Sequence, residues 1–336
     1  MIQKTALLIL AIAVVVILLP AAAVTVGGCP GFSPETAEAP APAGLPEQGA
    51  DGKVRLYRAD CKEIVVLDLE EYLIGVVLAE MPSSFELEAL KAQAVIARTY
   101  ALHRHPAAGG GGCDRAPGGA DICSDSTHCQ AWLDPEETAA DWGAGGENFL
   151  KRIRQAVSET AGEVVVYRGK LIEAVYHSTC GGRTEASDAL WKGGSLPYLQ
   201  SVACPYCKHS PYYRGEQLIP FTRLARALPG DPALPVLSAG QPPPEIAAET
   251  PGGRIAALTI NGRTIGGPEL RNLLELPSTA LTWEVREEGL LFHTRGRGHG
   301  VGLCQYGADG AAREGKCYKE IIHFYYPGSE ITPLKP

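Results

Sequence analysis

The stretch Leu69–Leu102 constrains the fold of this chain more than any other part of it. Apolar residues recur at Leu69, Tyr72, Leu73, Val76 and Val77, the spacing of one helical face. The next position on that face is Glu80. Pro82 then ends the helix, and Ser83 with Glu86 predicts a capping box for a second one. That second helix is rich in alanine (Ala89, Ala92, Ala94, Ala97, Ala101), which lets another backbone approach closely. A carboxyl group on an apolar stripe loses solvent, and desolvation favours its neutral form. A neutral acid near pH 7 can protonate a leaving group. The competing reading frays Glu80 outward at Pro82, and the spacing alone leaves both open. Lys91 and Arg98 share a face with Val95 between them. They either hold a polar ligand beside Glu80 or form a solvated surface.

The composition, 45% hydrophobic and 20% charged over 336 residues, suits a globular protein. A formal charge of −8 without a long basic run argues against nucleic-acid binding. Thr5–Val26 carries no charge and at about 1.5 Å per residue reaches roughly 33 Å, enough to cross a bilayer. With Lys4 as the only positive flank, an anchor with the bulk of the chain outside the cytoplasm is expected. A cleaved signal with its site near Ala21 and Ala23, or lipidation at Cys29, gives the same compartment. Residues 1–27 are thus read as a transmembrane anchor or uncleaved signal, 28–50 as a Pro/Ala-rich linker, and 51–336 as an extracytoplasmic domain with room for a subdomain near 215–290.

Along that domain, Lys53–Leu67 predicts a strand or hairpin, Phe149–Thr160 a helix, and Val164–Tyr167 with Leu171–Tyr176 a hairpin. Arg214–Leu228 is expected to be helical. Asn261-Gly262 marks a hairpin between Ile255–Ile260 and Arg263–Ile265. A short helix at Glu269–Leu274, strands at Thr282–Val285 and Leu290–Thr294, and a final helix within Arg313–Tyr326 complete the pattern. There is no regular βαβ rhythm, so the expected class is α+β, with mixed helices and short antiparallel strands around a substrate groove.

Four further constellations bear on chemistry. Tyr176-His177-Ser178-Thr179-Cys180-Gly181-Gly182 should sit at a strand end beside a glycine turn, with Tyr176 and Tyr198 as sugar-stacking faces. Glu185 and Asp188 follow, either as a second carboxylate or as acids in solvent. Arg295–Gly302 alternates glycine with Arg297, His299 and Val301, which permits close backbone approach to a ligand, and His299, Gln305 and Tyr306 suggest a polar cluster at a groove. It lacks the G-K-[ST] of a phosphate loop. Cys123 and Cys129 flank His128, a spacing that fits Zn²⁺ or a disulfide. Cys204-Pro-Tyr-Cys207 imitates a redox dithiol, but its late position and Pro211 favour a structural disulfide, with Cys180 as another candidate partner.

The runs GVVLAEMPSSFELEALKAQAVIARTYA, YHSTCGGRTEASDALW, GRGHGVGLCQYG and EIIHFYYPG, in this order, resemble the stage II sporulation protein D family across Lys53–Gly328. The resemblance implies a membrane-anchored lytic transglycosylase that cuts peptidoglycan glycan strands during engulfment, with Glu80 as its acid/base. It assigns substrate-binding or structural roles to Lys91, Gln93 and Arg98, and a groove to Tyr176, His177, Ser178, Glu185, His299, Gln305 and Tyr306. Some family members hold a metal with two cysteines at the Cys123/Cys129 spacing and an upstream histidine. Here no upstream histidine stands at that place, so Cys113 or His128 would complete the set. The chemistry itself requires no cofactor, and a structural Zn²⁺ is the one candidate. Implied partners are glycan strands freed of stem peptides and the stage II sporulation proteins P and M at the engulfing septal membrane. The alternatives are an inverting muramidase pairing Glu80 with Glu185 or Asp188, and a non-catalytic amidase enhancer.

Overall fold

The computed structural model describes residues 52–191, 193–228, 243–260 and 262–334. The expected anchor at Thr5–Val26, the linker and Cys29 lie outside the described residues. Among the described residues no helix is long and apolar enough to cross a membrane.

The architecture is α+β. A hairpin of β1 (Lys53–Arg58) and β2 (Glu63–Asp68), in register from Lys53↔Asp68 to Arg58↔Glu63, leads directly into helix α1 (Leu69–Glu80). Helix α2 (Leu87–Arg104) follows, and the short strand β3 (Ile122–Cys123) pairs parallel to β1. Helix α3 (Pro135–Glu159) is capped by Asp134, whose carboxylate accepts from Glu136 N and Glu137 N at 3.1 Å. It begins well before the expected Phe149, and Gly143, at φ 61°, breaks its helical geometry. Strand β4 (Glu163–Tyr167) pairs with β5 (Lys170–Leu171). The chain then forms β6 (Tyr176–His177) in place of a continuous Leu171–Tyr176 strand.

Residues from β7 (Gly215–Pro220) to β12 (Gly289–Thr294) build a second apolar cluster around Ile219, Leu258, Leu270 and Phe292. It contains helix α4 (Phe221–Ala227), β8 (Glu245–Glu249), β9 (Ile255–Ile260), β10 (Arg263–Gly266), helix α5 (Gly267–Leu274) and β11 (Leu281–Val285). β9 and β10 turn with Ile260 opposite Arg263, the two-residue geometry that Asn-Gly favours. Arg214–Leu228 is not one helix. Its first half lies along β12 from Thr294↔Gly215 to Gly289↔Pro220, and its side chains alternate between solvent and core with period two. The chain closes with β13 (Leu303–Cys304) parallel to β6, helix α6 (Gln305–Arg313), helix α7 (Tyr318–Tyr325) and β14 (Glu330–Pro333) on β4. The final helix expected within Arg313–Tyr326 is α7, and α6 before it, ending at Arg313, is an addition to the expected pattern.

α1 and α2 lie at the centre of the first core, against α3 and against each other; α2 also packs on α6, α7 and β4. This placement explains why α1 is apolar nearly all round: Tyr72, Leu73, Ile74, Val76, Val77 and Leu78 are all buried. The α1–α2 turn is held from elsewhere in the chain. α2 starts at Leu87 with no side-chain cap of its own, so Ser83 and Glu86 do not form the expected box. Instead the buried Asp309 of α6 accepts Glu86 N at 2.8 Å, and Arg152 of α3 donates to the carbonyls of Ser83 and Phe85. Asp309 also accepts from His209 Nε2 at 2.9 Å and from Arg313 at 2.8 Å. Asp309→Ala is therefore expected to destabilise the fold by about 1–2 kcal/mol, because it removes a helix cap while His209 and Arg313, both partly exposed, can regain water. Chemical denaturation would measure this, and an unchanged midpoint would refute the tertiary cap.

Candidate active site

Glu80 is the last residue of α1, where the polypeptide leaves the helix at Met81. Its side chain neither frays into solvent nor disappears into the core; the residue is half-buried. Its Oε1 accepts Ala131 N at 2.9 Å. Gln305, the first residue of α6, donates its amide to the Glu80 backbone carbonyl at 3.2 Å and to Oε2 at 3.4 Å. The Tyr176 hydroxyl lies near the carboxylate and favours its charged form. Behind it runs a relay: Gln130 Nε2 donates to Tyr176 Oη at 3.0 Å, and Tyr72 donates to Gln130 Oε1 at 2.9 Å. Burial raises the Glu80 pKa, and Ala131 N, Gln305 and Tyr176 oppose that rise without cancelling it. The result is an oriented carboxyl group with elevated proton affinity.

Gly75 on α1 is part of this construction. A Cβ there would collide with Trp132 Nε1 and lie 2.6 Å from Leu133 O. The missing side chain lets the Gln130–Leu133 segment lie against α1 and bring Ala131 N to Glu80.

Of the residues expected near Glu80, the structure brings Tyr176 and Gln305 to it. Tyr306 stands next to Gln305, its ring edge against Phe85 at 4.9 Å and its N–H on Ser178 O at 3.0 Å. His177 and His299 face each other at 5.5 Å between ring centroids, with the exposed Trp191 at 5.5 Å from His299. His177 Nδ1 donates to Val301 O at 3.0 Å, while His299 Nε2 donates to Tyr176 O at 2.8 Å and its Nδ1 accepts Val301 N. Burial holds both imidazoles neutral; it lowers the pKa of His177 and pushes that of His299 down to about 4. His299 thus sets the strand carrying Tyr176.

Other candidates lie apart. Lys91 pairs with Glu88 at 2.7 Å and Glu159 at 2.6 Å. Arg98 is fully buried and grips Glu70 with two bonds of 2.9 and 2.6 Å while donating to Glu163 O at 3.0 Å. Neither cation pairs with Glu80. Gln93 is fully enclosed, with no protein partner for either amide atom. Glu185 has no exposed surface; Thr250 Oγ1 and Ala186 N donate to its carboxylate. Asp188 is exposed on a single 3-10 turn. Tyr198 is buried and accepts Glu173 N, so its ring face is not free for a sugar. The glycine loop also differs from expectation. A Cβ at Gly302 would strike Val175 O, and one at Gly298 would lie 2.9 Å from His177 Cβ. The close approach these glycines permit is to the protein's own Val175–His177 segment. A cleft of about 910 Å³ lined by Tyr100, Arg104, Lys170 and Glu173 does not include Glu80.

Sequence reasoning missed Tyr72, Gln130 and Ala131. Tyr72 reads as one more apolar residue on the stripe, and Gln130-Ala131 sit in a loop with no periodicity to single them out.

The same loop contains a cluster of metal-binding type. Cys113, Cys123, His128 and Cys129 each place a ligand atom within 4.8 Å of the others. His128 Nδ1 lies 3.5 Å from Cys113 Sγ, 3.5 Å from Cys123 Sγ and 3.3 Å from Cys129 Sγ, and the Cys113 and Cys129 sulfurs are 3.9 Å apart. A tetrahedral zinc ion with bonds of about 2.0–2.3 Å has donor–donor edges of about 3.5–3.8 Å, so these residues fit one. Asp114 Oδ1 accepts His128 Nε2 at 2.8 Å, the outer-sphere partner typical of a ligating histidine. Both Cys113 and His128 join the cysteine pair, so the set has four members without an upstream histidine. It ends one residue before Gln130.

Comparison with known proteins places this geometry. The sequence model of a family described as stage II sporulation protein matches residues 57–167, which include Glu80, the cysteine–histidine cluster and Gln130. Stage II sporulation protein D of Bacillus subtilis (strain 168) is 36% identical over 283 residues, covering 83% of this chain and 78% of its own. The protein of the same name from Bacillus amyloliquefaciens is 36% identical over 280 residues, covering 83% of this chain and 78% of its own. The amidase enhancer of Bacillus subtilis (strain 168) is 28% identical over 309 residues, 77% of this chain but 40% of its own length. With identity of this level over most of both chains, the protein belongs to the stage II sporulation protein D family.

Proposed function

We propose that the protein is a lytic transglycosylase that cleaves peptidoglycan glycan strands, with Glu80 as its single acid/base. The observation that carries this reading is the carboxyl of Glu80, oriented by Ala131 N and Gln305, close to Tyr176, and raised in pKa by burial. In the proposed reaction the protonated carboxyl donates to the glycosidic oxygen as the muramic sugar becomes oxocarbenium-like. The 6-hydroxyl of that sugar then attacks its own anomeric carbon and gives its proton to the Glu80 carboxylate. One bond breaks, one forms, no water is consumed, and the product is a 1,6-anhydro end. Trp191, exposed beside His299, and Tyr306, the residue after Gln305, are the proposed aromatic faces for sugar rings.

An inverting muramidase needs a second carboxylate to activate water, with the two about 6.5–9.5 Å apart. Enclosure of Glu185 behind Thr250 counts against that residue in the role. The relative named an amidase enhancer motivates a second reading, a glycan-binding protein that stimulates a partner without cutting. Mass spectrometry of products from peptide-free strands tests all three. Anhydro ends support the proposal, reducing ends point to hydrolysis, and strands bound but uncut point to the enhancer. The proposed setting is the engulfing septal membrane of a sporulating cell, with an N-terminal anchor and stage II sporulation proteins P and M as partners. A zinc ion on Cys113, Cys123, His128 and Cys129 would order the loop that presents Gln130 and Ala131; it takes no part in the bond changes.

The direction of the Glu80 shift gives a pH prediction. A general acid must carry its proton, so kcat/KM falls as pH rises through the raised pKa. Stability moves the same way. A carboxyl with a folded-state pKa above its unfolded value contributes fully below that unfolded value, and the contribution is lost as pH rises through the folded one. Glu80→Gln, which keeps the neutral shape, should gain melting temperature over the parent chain as pH rises through this window. Parallel melting curves at acidic and neutral pH would contradict the assignment.

A further inference from the structure

Four cysteines outside the site just described converge on one buried point. Cys180 follows β6, Cys204 and Cys207 form the turn read from sequence as a structural disulfide, and Cys304 ends β13. Each is buried, and their sulfurs all lie within 4.8 Å of one another. Cys180 Sγ and Cys207 Sγ are 3.4 Å apart, near the roughly 3.8 Å edge of a tetrahedral zinc–thiolate group with bonds of about 2.3 Å.

The surroundings are those of anionic sulfur. Cys304 Sγ accepts two backbone amides, Cys180 N and Gly307 N, each at 3.2 Å. The buried hydroxyl of Tyr325 lies 3.1 Å from Cys204 Sγ. Arg254, 2% exposed, brings its guanidinium to the same place and donates to Cys180 O at 3.1 Å. A neutral pair of disulfides has no need of two backbone amides on one sulfur, whereas four thiolates on a divalent ion carry two net negative charges that must be offset in an apolar core, where Arg254 faces both the cluster and the buried Glu185. Gly307 is shaped by the cluster too, since a Cβ there would strike Tyr325 Oη and lie 2.9 Å from Cys204 Sγ.

We propose that Cys180, Cys204, Cys207 and Cys304 form a structural four-thiolate site for Zn²⁺, distinct from the cysteine–histidine cluster near Gln130. On binding, each thiol gives its proton to solvent and its sulfur to the metal, with no change of oxidation state. Because Cys304 immediately precedes Gln305, the ion ties the start of α6 to the Cys180 and Cys204–Cys207 segments behind it. The site stands whether or not Glu80 cuts glycan.

Metal analysis of the full-length chain with and without Cys204→Ser and Cys207→Ser tests this. The double variant should carry one zinc equivalent fewer per chain than its parent, whatever the other cluster holds; equal contents overturn the proposal. Should the variant fail to fold, alkylation of the unaltered chain decides. The four thiols should resist alkylation in the native protein and all react after denaturation with a chelator and no reductant. Disulfide-linked peptides joining any of them would overturn the site.

Discussion

Glu80→Gln is expected to abolish strand cleavage while leaving strand binding and fold intact. General acid–base catalysis contributes about 10²–10⁴-fold, and one group acting first as acid and then as base places the loss near the upper end. A factor of about 10⁴ corresponds to roughly 5.5 kcal/mol of barrier. Glutamine retains the amide oxygen for Ala131 N but cannot supply a proton to the leaving oxygen. The hydrogen bonds around position 80 are therefore largely kept and only the chemistry is removed. Turnover of peptide-free strands, measured beside a binding assay, reads the two effects separately. Normal turnover by this variant would remove Glu80 from the reaction altogether.

Arg98→Ala is expected to do the opposite, lowering stability and sparing the chemistry of each folded molecule. Arg98 has no solvent exposure and holds Glu70, at the start of α1, to α2 and to the carbonyl of Glu163. Removing one partner of a buried pair costs about 3–5 kcal/mol, through the lost bonds, the cavity and the unpaired groups. Glu70 is about one-third exposed and can regain water, which favours the lower end, near 3 kcal/mol. For a domain of this size that is a fall of roughly 6–10 °C in melting temperature. Scanning calorimetry with activity normalised to folded protein distinguishes this tie from a substrate contact. A lost affinity for strands at unchanged melting temperature would return Arg98 to the groove.

The contrast between these two residues marks what periodicity conveys. The helix pair, the carboxyl at the end of α1 and the Asn-Gly hairpin are local features, fixed by spacing over a few residues. Lys91 and Arg98 also share a face by spacing, but what that face meets depends on Glu70, Glu159 and Glu163 from other elements. The cap of α2 comes from Asp309, more than two hundred residues away, so the local Ser83/Glu86 pattern misleads. Gln130 has no sequence mark at all; its role exists because Gly75 lets its segment lie on α1. The cysteines are visible as residues, and Cys113 or His128 is already a candidate for the Cys123/Cys129 pair, yet only the fold brings both to it and brings Cys180 to Cys304.

The most direct test of the central claim is cleavage of peptide-free strands in water enriched with heavy oxygen, followed by mass spectrometry of the new ends. Intramolecular attack by the 6-hydroxyl predicts anhydro ends with no heavy oxygen incorporated. Reducing ends carrying the label would mean that water is the nucleophile, and the account of Glu80 as a lone acid/base would be wrong.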